Sequence, residues 1–150
     1  MNTPQVELTS DDVFVLGNIA SLATLIGLGE DARPLWKLIQ EFRPENAGGF
    51  LIEAMYFFSL GDFSAGIDVL EQTGAFYASV NRDEALAFHL YLLQQDGRLE
   101  RALGLGEAYL DEGLLRAEAA LQTVSIVVDE CAAALGRGDN QYQTGKGAIR

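Results

Sequence analysis

Residues 50–70 read FLIEAMYFFSLGDFSAGIDVL, and this stretch carries the pattern that predicts the fold. An apolar, helix-forming run ends at Gly61, and a second helical run follows with the small residue Gly66 five positions later. The same spacing of a glycine and a small residue occurs on both sides, as Gly27 with Ala32 and as Gly97 with Ala102. The three glycines are 34 and then 36 residues apart. We therefore predict three repeats, each made of two helices.

A period of about 34 residues is typical of the tetratricopeptide repeat, and the small residues also fall at the positions of that repeat. Small side chains at a helix crossing let two antiparallel helices approach closely, and glycine at the turn tolerates positive φ. The repeats begin at Val13, Ala47 and Asp83. The two extra residues fall in 74–82, where a surface connection can absorb them.

After the third repeat, apolar residues recur every three or four positions, which predicts one amphipathic helix covering the last open face of the stack. These residues are Leu114, Ala117, Leu121, Val124, Val128, Cys131 and Leu135. The predicted fold is all-α, with three tetratricopeptide-like helix hairpins in a short right-handed superhelix and a C-terminal capping helix. We divide the chain into an N-terminal segment 1–12, a helical domain 13–135 and a flexible tail 136–150.

Charge and cysteine content exclude several classes of partner. The chain has 22 acidic and 10 basic residues, a formal charge of −12, which would repel nucleic acid and anionic membrane surfaces. Its single cysteine cannot form an internal disulfide. The N-terminus lacks the basic start and apolar core of a secretory signal, so we predict a cytoplasmic protein.

The repeat register predicts which residues line the concave face of the stack. The stripe contributed by the first helix of each repeat comprises Phe14, Gly17, Ser21 and Thr24, then Leu51, Met55 and Phe58, then Ala87, Tyr91 and Gln94. Residues 50–60 are apolar on nearly every side, and an exposed apolar strip usually marks an interface. Methionine and aromatic side chains suit an adaptable groove for an amphipathic helix. The predicted partner-binding residues are Phe14, Leu51, Met55, Phe58 and Tyr91.

Two other uses of this strip remain open: it could pack against the capping helix or tail, or against a second copy in a homodimer. Three buried anchors would contribute about 1.5 to 3 kcal/mol each, against an association cost on the order of 4 to 15 kcal/mol. A long ligand, or a second protein that helps to enclose it, is therefore needed for useful affinity.

No pattern in the sequence predicts a catalytic, cofactor or metal site. Gly27, Gly29 and Ala32 match a dinucleotide fingerprint, but the run before them has helical rather than strand periodicity. His89 is the only histidine and has no metal ligand at suitable spacing, so we expect a half-buried packing residue. The triplet 137–139 reads RGD, which we interpret as a chance match. We predict a non-enzymatic binding protein without cofactor.

The acidic composition, the three repeats, the apolar groove and the helical cap together resemble the small chaperones of bacterial type III secretion systems, over residues 13–135. The needle-subunit chaperone is the most similar type. This resemblance implies that the groove holds an apolar helix of a secreted subunit, sometimes beside a second small chaperone, with Leu51, Met55, Phe58 and Tyr91 contacting the guest. A hypothesis of another class is a tetratricopeptide scaffold that dimerises and joins components of an assembly.

Overall fold

The computed structural model describes residues 7–137, and these contain seven α-helices and no strand. The helices are α1 (Ser10–Leu25), α2 (Gly29–Phe42), α3 (Gly48–Ser59), α4 (Phe63–Gln72), α5 (Arg82–Gln95), α6 (Leu99–Asp111) and α7 (Glu118–Ala134). A short 3-10 helix, Ala75–Tyr77, follows α4. The all-α class is thus confirmed. Residues 1–6 of the predicted N-terminal segment 1–12, and residues 138–150 of the predicted tail 136–150, lie outside the described residues.

The chain divides into two compact units, and the boundary in the sequence lies between Arg82 and Asp83. The first contains α1 to α4, with α1 packed on α2 and α3, α2 on α3, and α3 on α4. Its core is a cluster of buried side chains from the first three helices: Ala20, Ala32, Trp36, Ile39 and Ile52. Small residues at the predicted helix crossings are buried as expected, namely Ala20, Ala32, Ala54, Gly66 and Ala102.

Five helices end in the same hydrogen-bonded turn, with a glycine at positive φ just after the helix. At the end of α3, Gly61 has φ of 75° and its N–H donates to the Phe58 carbonyl. The N–H of Asp62 reaches back to the Phe57 carbonyl at 2.9 Å, which completes a Schellman motif. The equivalent glycines at the other four turns are Gly27, Gly97, Gly113 and Gly136. Positive φ at the three repeat glycines is therefore confirmed.

The connection between α4 and α5 folds back onto the connection between α2 and α3. The N–H groups of Ser79 and Val80 both donate to the Glu45 carbonyl, at 3.0 and 3.1 Å. In return, the Ala47 N–H donates to the Val80 carbonyl at 2.9 Å, and Asn46 and Val80 form an isolated parallel bridge. The residues that exceed the repeat period therefore pair with an earlier loop.

The second unit contains α6, α7 and almost all of α5. A Cβ added at Gly106 of α6 would collide with Val128 of α7 and lie 3.7 Å from Leu90 of α5, so the three helices meet at this glycine. The Asp83 carboxylate, at the start of α5, accepts from the N–H groups of Arg116 and Ala117 at 2.7 and 2.9 Å.

Two predictions for this unit were wrong in detail. The last helix begins at Glu118 rather than at Leu114, because Ala117 is extended (ψ of 123°) where the chain bonds to Asp83. His89 is not half-buried: its exposed fraction is 2%, because it lies on the buried side of α5 beside Leu90 and Leu93.

Candidate partner-binding groove

An open groove of about 490 Å³ lies in the first unit, between α1 and α3. One wall comes from successive turns of α1 and the other from the first two turns of α3. The loops before α3 and before α5 close one end of the groove. The lining residues are Ser10, Val13, Phe14, Gly17, Asn18, Ser21, Ile39, Arg43, Glu45, Asn46, Gly48, Leu51, Ile52, Met55, Val80 and Asn81.

The walls are apolar because both helices present hydrophobic side chains on more than one side. Phe14 is the most accessible of the large apolar lining residues, with an exposed fraction of 69%. Leu51 and Met55 face it from α3 and are half-buried. At Gly17 an added Cβ would meet nothing within 4 Å, so the missing side chain leaves the groove wider at this turn of α1. The groove therefore offers accessible apolar surface around Phe14, Leu51 and Met55, and the lining of α1 is polar at Ser10, Asn18 and Ser21.

Hydrogen bonds between loop residues build the closed end of the groove. The Asn46 Oδ1 accepts from the Gly48 N–H and from the Asn81 Nδ2, each at 2.8 Å. Asn81 has φ of 60°, a left-handed conformation that asparagine adopts more readily than most residues. The Arg43 guanidinium donates to the Leu8 carbonyl through Nε and Nη2, and pairs with Glu45 at 3.1 Å. These contacts hold Leu8, just before α1, against the end of α2.

A second set of contacts fixes α3, and with it Leu51 and Met55, against α2. The Tyr56 hydroxyl donates to the Glu30 carboxylate, and Arg33 pairs with the same carboxylate at 3.1 Å. The Arg33 guanidinium also lies 5.5 Å from the centre of the Tyr56 ring, which packs at 5.2 Å on Trp36. The Arg33 bond, and then the Tyr56 bond, lower the pKa of Glu30, while the bond to Glu30 raises the pKa of Tyr56.

The structure brings together three of the five residues predicted to bind a partner. Phe14, Leu51 and Met55 line the groove. The ring of Phe58 packs instead on Phe63 across the turn to α4, with centres 5.6 Å apart. Tyr91 belongs to the second unit, where its ring stacks on Phe88 at 6.2 Å.

Sequence analysis did not identify the polar end of the groove. Arg43, Glu45, Asn46 and Asn81 reach it from two loops that are far apart in sequence and are joined by hydrogen bonds between residues 79–81 and residues 45–47. The two extra residues before the third repeat indicated that the loop at residues 74–82 departs from the repeat pattern. Nothing in that departure indicated where the loop would pair.

A further apolar surface lies on α1, about a third of a turn away from the groove. Val15, Ile19, Leu22 and Ile26 are spaced by four, three and four residues, so they share one stripe of the helix. Their exposed fractions lie between 50% and 63%. We refer to these four residues as the outer face of α1.

The other motifs considered in the sequence do not form ligand sites in the described part of the chain. The segment before Gly27 is helix α1, not the strand that a dinucleotide fingerprint requires. No group of three or more potential metal ligands occurs among residues 7–137.

Cys131 is buried, and this burial raises the pKa of its thiol. No helix in this range is long and apolar enough to cross a bilayer. The RGD triplet extends beyond the described residues.

Comparison with known proteins gave no relative for this chain: no family model matches it, and neither do curated proteins or solved structures.

Proposed function

We propose that this chain is a non-enzymatic binding protein of the cytoplasm that holds an apolar helix or peptide of a partner in the groove between α1 and α3. The observation that carries the proposal is the convergence of Phe14, Leu51 and Met55 on one open groove, with Phe14 69% exposed. An accessible apolar surface of this kind is costly in water unless a partner covers it.

The proposed architecture is three tetratricopeptide-like hairpins, formed by α1 with α2, α3 with α4, and α5 with α6, in a right-handed superhelix capped by α7. The common glycine turns after α1, α3 and α5 support this arrangement. On this register α1 and α3 are the first helices of neighbouring repeats, which is where such repeats bind ligands.

The proposed role is that of a chaperone for a secreted subunit, as in the type III secretion chaperones that the sequence resembles. Binding would cover a segment of the guest that otherwise self-associates, and mass action would then disfavour premature assembly without any consumption of ATP. Among the predicted contacts, Phe14, Leu51 and Met55 are the ones that the groove supports.

The test is co-purification of partners from the native cell with the wild-type chain and with Phe14→Glu and Leu51→Glu. Both substitutions place a charge in the groove. Phe14→Glu should leave the fold intact, because that side chain is mostly exposed. Ile126→Glu is the matched control, since Ile126 is 55% exposed on α7 and lies outside the groove.

We expect the partner to be lost from both groove variants and kept by the control, with unchanged circular dichroism for Phe14→Glu. Normal partner recovery with Phe14→Glu and Leu51→Glu would contradict the groove assignment.

The outer face of α1 favours a second candidate function, a scaffold that dimerises. Four exposed apolar side chains on one stripe are suited to pack on the same stripe of a second copy. Sedimentation of the purified protein separates the two functions. A stable dimer that Ile19→Ser with Leu22→Ser dissociates supports the scaffold, and a monomer that requires a co-expressed partner for solubility supports the chaperone.

A further inference from the structure

The charges around the groove restrict which apolar segment can occupy it. The first unit, up to Arg82, contains 11 acidic and 4 basic residues, a net charge of −7. Three of those four cations are already held in ion pairs at 2.8 to 3.1 Å: Arg33 with Glu30, Lys37 with Glu53, and Arg43 with Glu45. A guest that brings further negative charge would meet repulsion that these paired cations do little to offset.

The groove lining itself carries almost no net charge. Arg43 is the one cation among the described residues that line it, and its guanidinium is bonded to the Leu8 carbonyl on one side and to Glu45 on the other. A guest carboxylate placed there would have to compete for a guanidinium that is already bonded. The body of the groove is therefore suited to apolar side chains rather than to acidic ones.

The acidic residues are concentrated at one end of the groove. Asp11 follows the lining residue Ser10 directly, and Glu7 precedes it by three positions. Glu45 lies in the lining at the same closed end, where its ion pair with Arg43 offsets its charge, so the net negative charge there comes from Glu7 and Asp11. The far end, near Ser21 and Met55, has no charged residue in the lining. The groove therefore has one acidic end and one end without charged lining residues, and we call this difference its polarity.

From this polarity we infer that the guest is an apolar amphipathic segment whose lysine or arginine flank lies at the closed end of the groove, beside Asp11 and Glu7. The inference rests on the proposed function and specifies the chemistry of its ligand. The lining of α1 extends from Ser10 to Ser21, which is about 16 Å at 1.5 Å per residue. A guest helix of about eleven residues, with anchors at i, i+4 and i+7, matches that length.

The probes are synthetic helical peptides that share three leucine anchors and differ only in their flanks. One carries two lysines at each end, a second carries two glutamates at each end, and two more carry lysines at a single end. A peptide with lysine flanks but serine anchors controls for nonspecific charge attraction. Binding to the full chain is followed by fluorescence anisotropy at low and at physiological salt.

We expect the lysine-flanked peptide to bind at least about fivefold more tightly than the glutamate-flanked one at low salt, and salt to reduce this ratio. One of the two single-flank peptides should keep most of the advantage, because the acidic residues lie at one end. The serine-anchored peptide should not bind.

Variants of the protein locate the effect. Glu7→Gln with Asp11→Asn should weaken binding of the lysine-flanked peptide about two- to fivefold. Asp68→Asn is the control, because Asp68 is an exposed carboxylate of α4 outside the groove lining. Equal binding of the lysine and glutamate peptides at low salt would overturn the inference and leave the groove function standing. Failure of every leucine-anchored peptide to bind would overturn both.

Discussion

At the scale of single residues, a glycine inside a helix can mark a close contact between helices or an open surface position, and the two can be distinguished experimentally. Gly106 is buried at the contact of α6 with α7, where a Cβ would collide with Val128. Gly104 lies in the same helix, and a Cβ there would meet nothing within 4 Å. We expect Gly106→Ala to lower the free energy of unfolding by about 1 to 3 kcal/mol.

The matched substitution Gly104→Ala should raise the free energy of unfolding by about 0.5 to 1 kcal/mol, because alanine loses less backbone freedom in a helix. Urea denaturation followed by circular dichroism measures both changes. Equal effects of the two substitutions would contradict the close contact of α6 with α7.

The predicted stripe of a helix places some side chains at the groove and leaves the partner-binding role of each residue a prediction. Phe14, Leu51 and Met55 were placed by register alone and do line one groove. Phe58 shares the stripe of Leu51 and Met55 but lies nearer the end of α3, where Phe63 of the next helix packs on its ring. The register of a helix predicts the direction in which a side chain points, but it does not predict which neighbouring side chain will cover it.

At the scale of helices, α1 begins at Ser10 because of its cap, three residues before the boundary that the apolar pattern predicted. The Thr9 hydroxyl accepts from the Asp12 N–H at 3.1 Å, and the Asp12 carboxylate accepts from the Thr9 N–H at 2.9 Å. This capping box is visible in the sequence as Thr9 and Asp12, although both residues fall in the predicted N-terminal segment 1–12 rather than in the predicted helical domain.

Thr9→Ala should lower the free energy of unfolding by about 1 kcal/mol, because the first turn of α1 loses a hydrogen-bond acceptor. Thr123→Ala is the control: the Thr123 hydroxyl donates to the Ala119 carbonyl within α7 and caps no helix, so alanine should be neutral or slightly stabilising there. Thermal unfolding of the two variants provides the comparison. If both variants behave alike, the cap does not stabilise α1.

The same cap has a consequence for acid stability. The bond from the Thr9 N–H, and then that from its hydroxyl, hold the pKa of Asp12 below its ordinary value of 3.8. A carboxylate with a lowered pKa stabilises the fold above its unfolded pKa, and that contribution is lost as pH falls through the folded pKa. We expect Thr9→Ala to reduce the loss of stability on acidification below pH 3.8. Urea titrations at several pH values measure this loss. If wild type and Thr9→Ala lose the same stability below pH 3.8, the linkage is contradicted.

At the scale of the whole molecule, charge repulsion competes with the apolar surface of α1. The chain carries a formal charge of −12 at pH 7, and its isoelectric point is about 4.3. Repulsion between copies disappears near that pH, so we expect light scattering to show self-association as the pH falls from 7 toward 4.3.

Ile19→Ser with Leu22→Ser, which leaves the charge unchanged, should suppress that association, because it removes the centre of the outer face of α1. Ile126→Ser is the control for loss of one exposed apolar side chain on another helix. Association that is unaffected by the α1 substitutions would show that a different surface is responsible.

The sequence predicted an all-helical protein with glycine turns, because helices and their ends depend on local signals: apolar periodicity and glycines at turns. It did not predict that the two long loops pair through Asn46 and Val80, since contacts between residues 34 apart leave no local signal. Tyr91 belongs to the second compact unit, and its predicted role in partner binding stays a prediction. Local patterns determine helices, and the meeting of distant loops determines where the groove is closed.

The central claim, that the groove between α1 and α3 holds an apolar segment of a partner, is tested most directly by photocrosslinking in the native cell. A benzoylphenylalanine introduced at Phe14, and separately at Ile126 as control, reports what lies within a few ångströms of each position. The groove function predicts a crosslink at Phe14, absent at Ile126, to one protein whose crosslinked peptide is an apolar segment with a basic flank. A Phe14 probe that crosslinks only to a second copy of this chain, or no more than the Ile126 probe does, would contradict it.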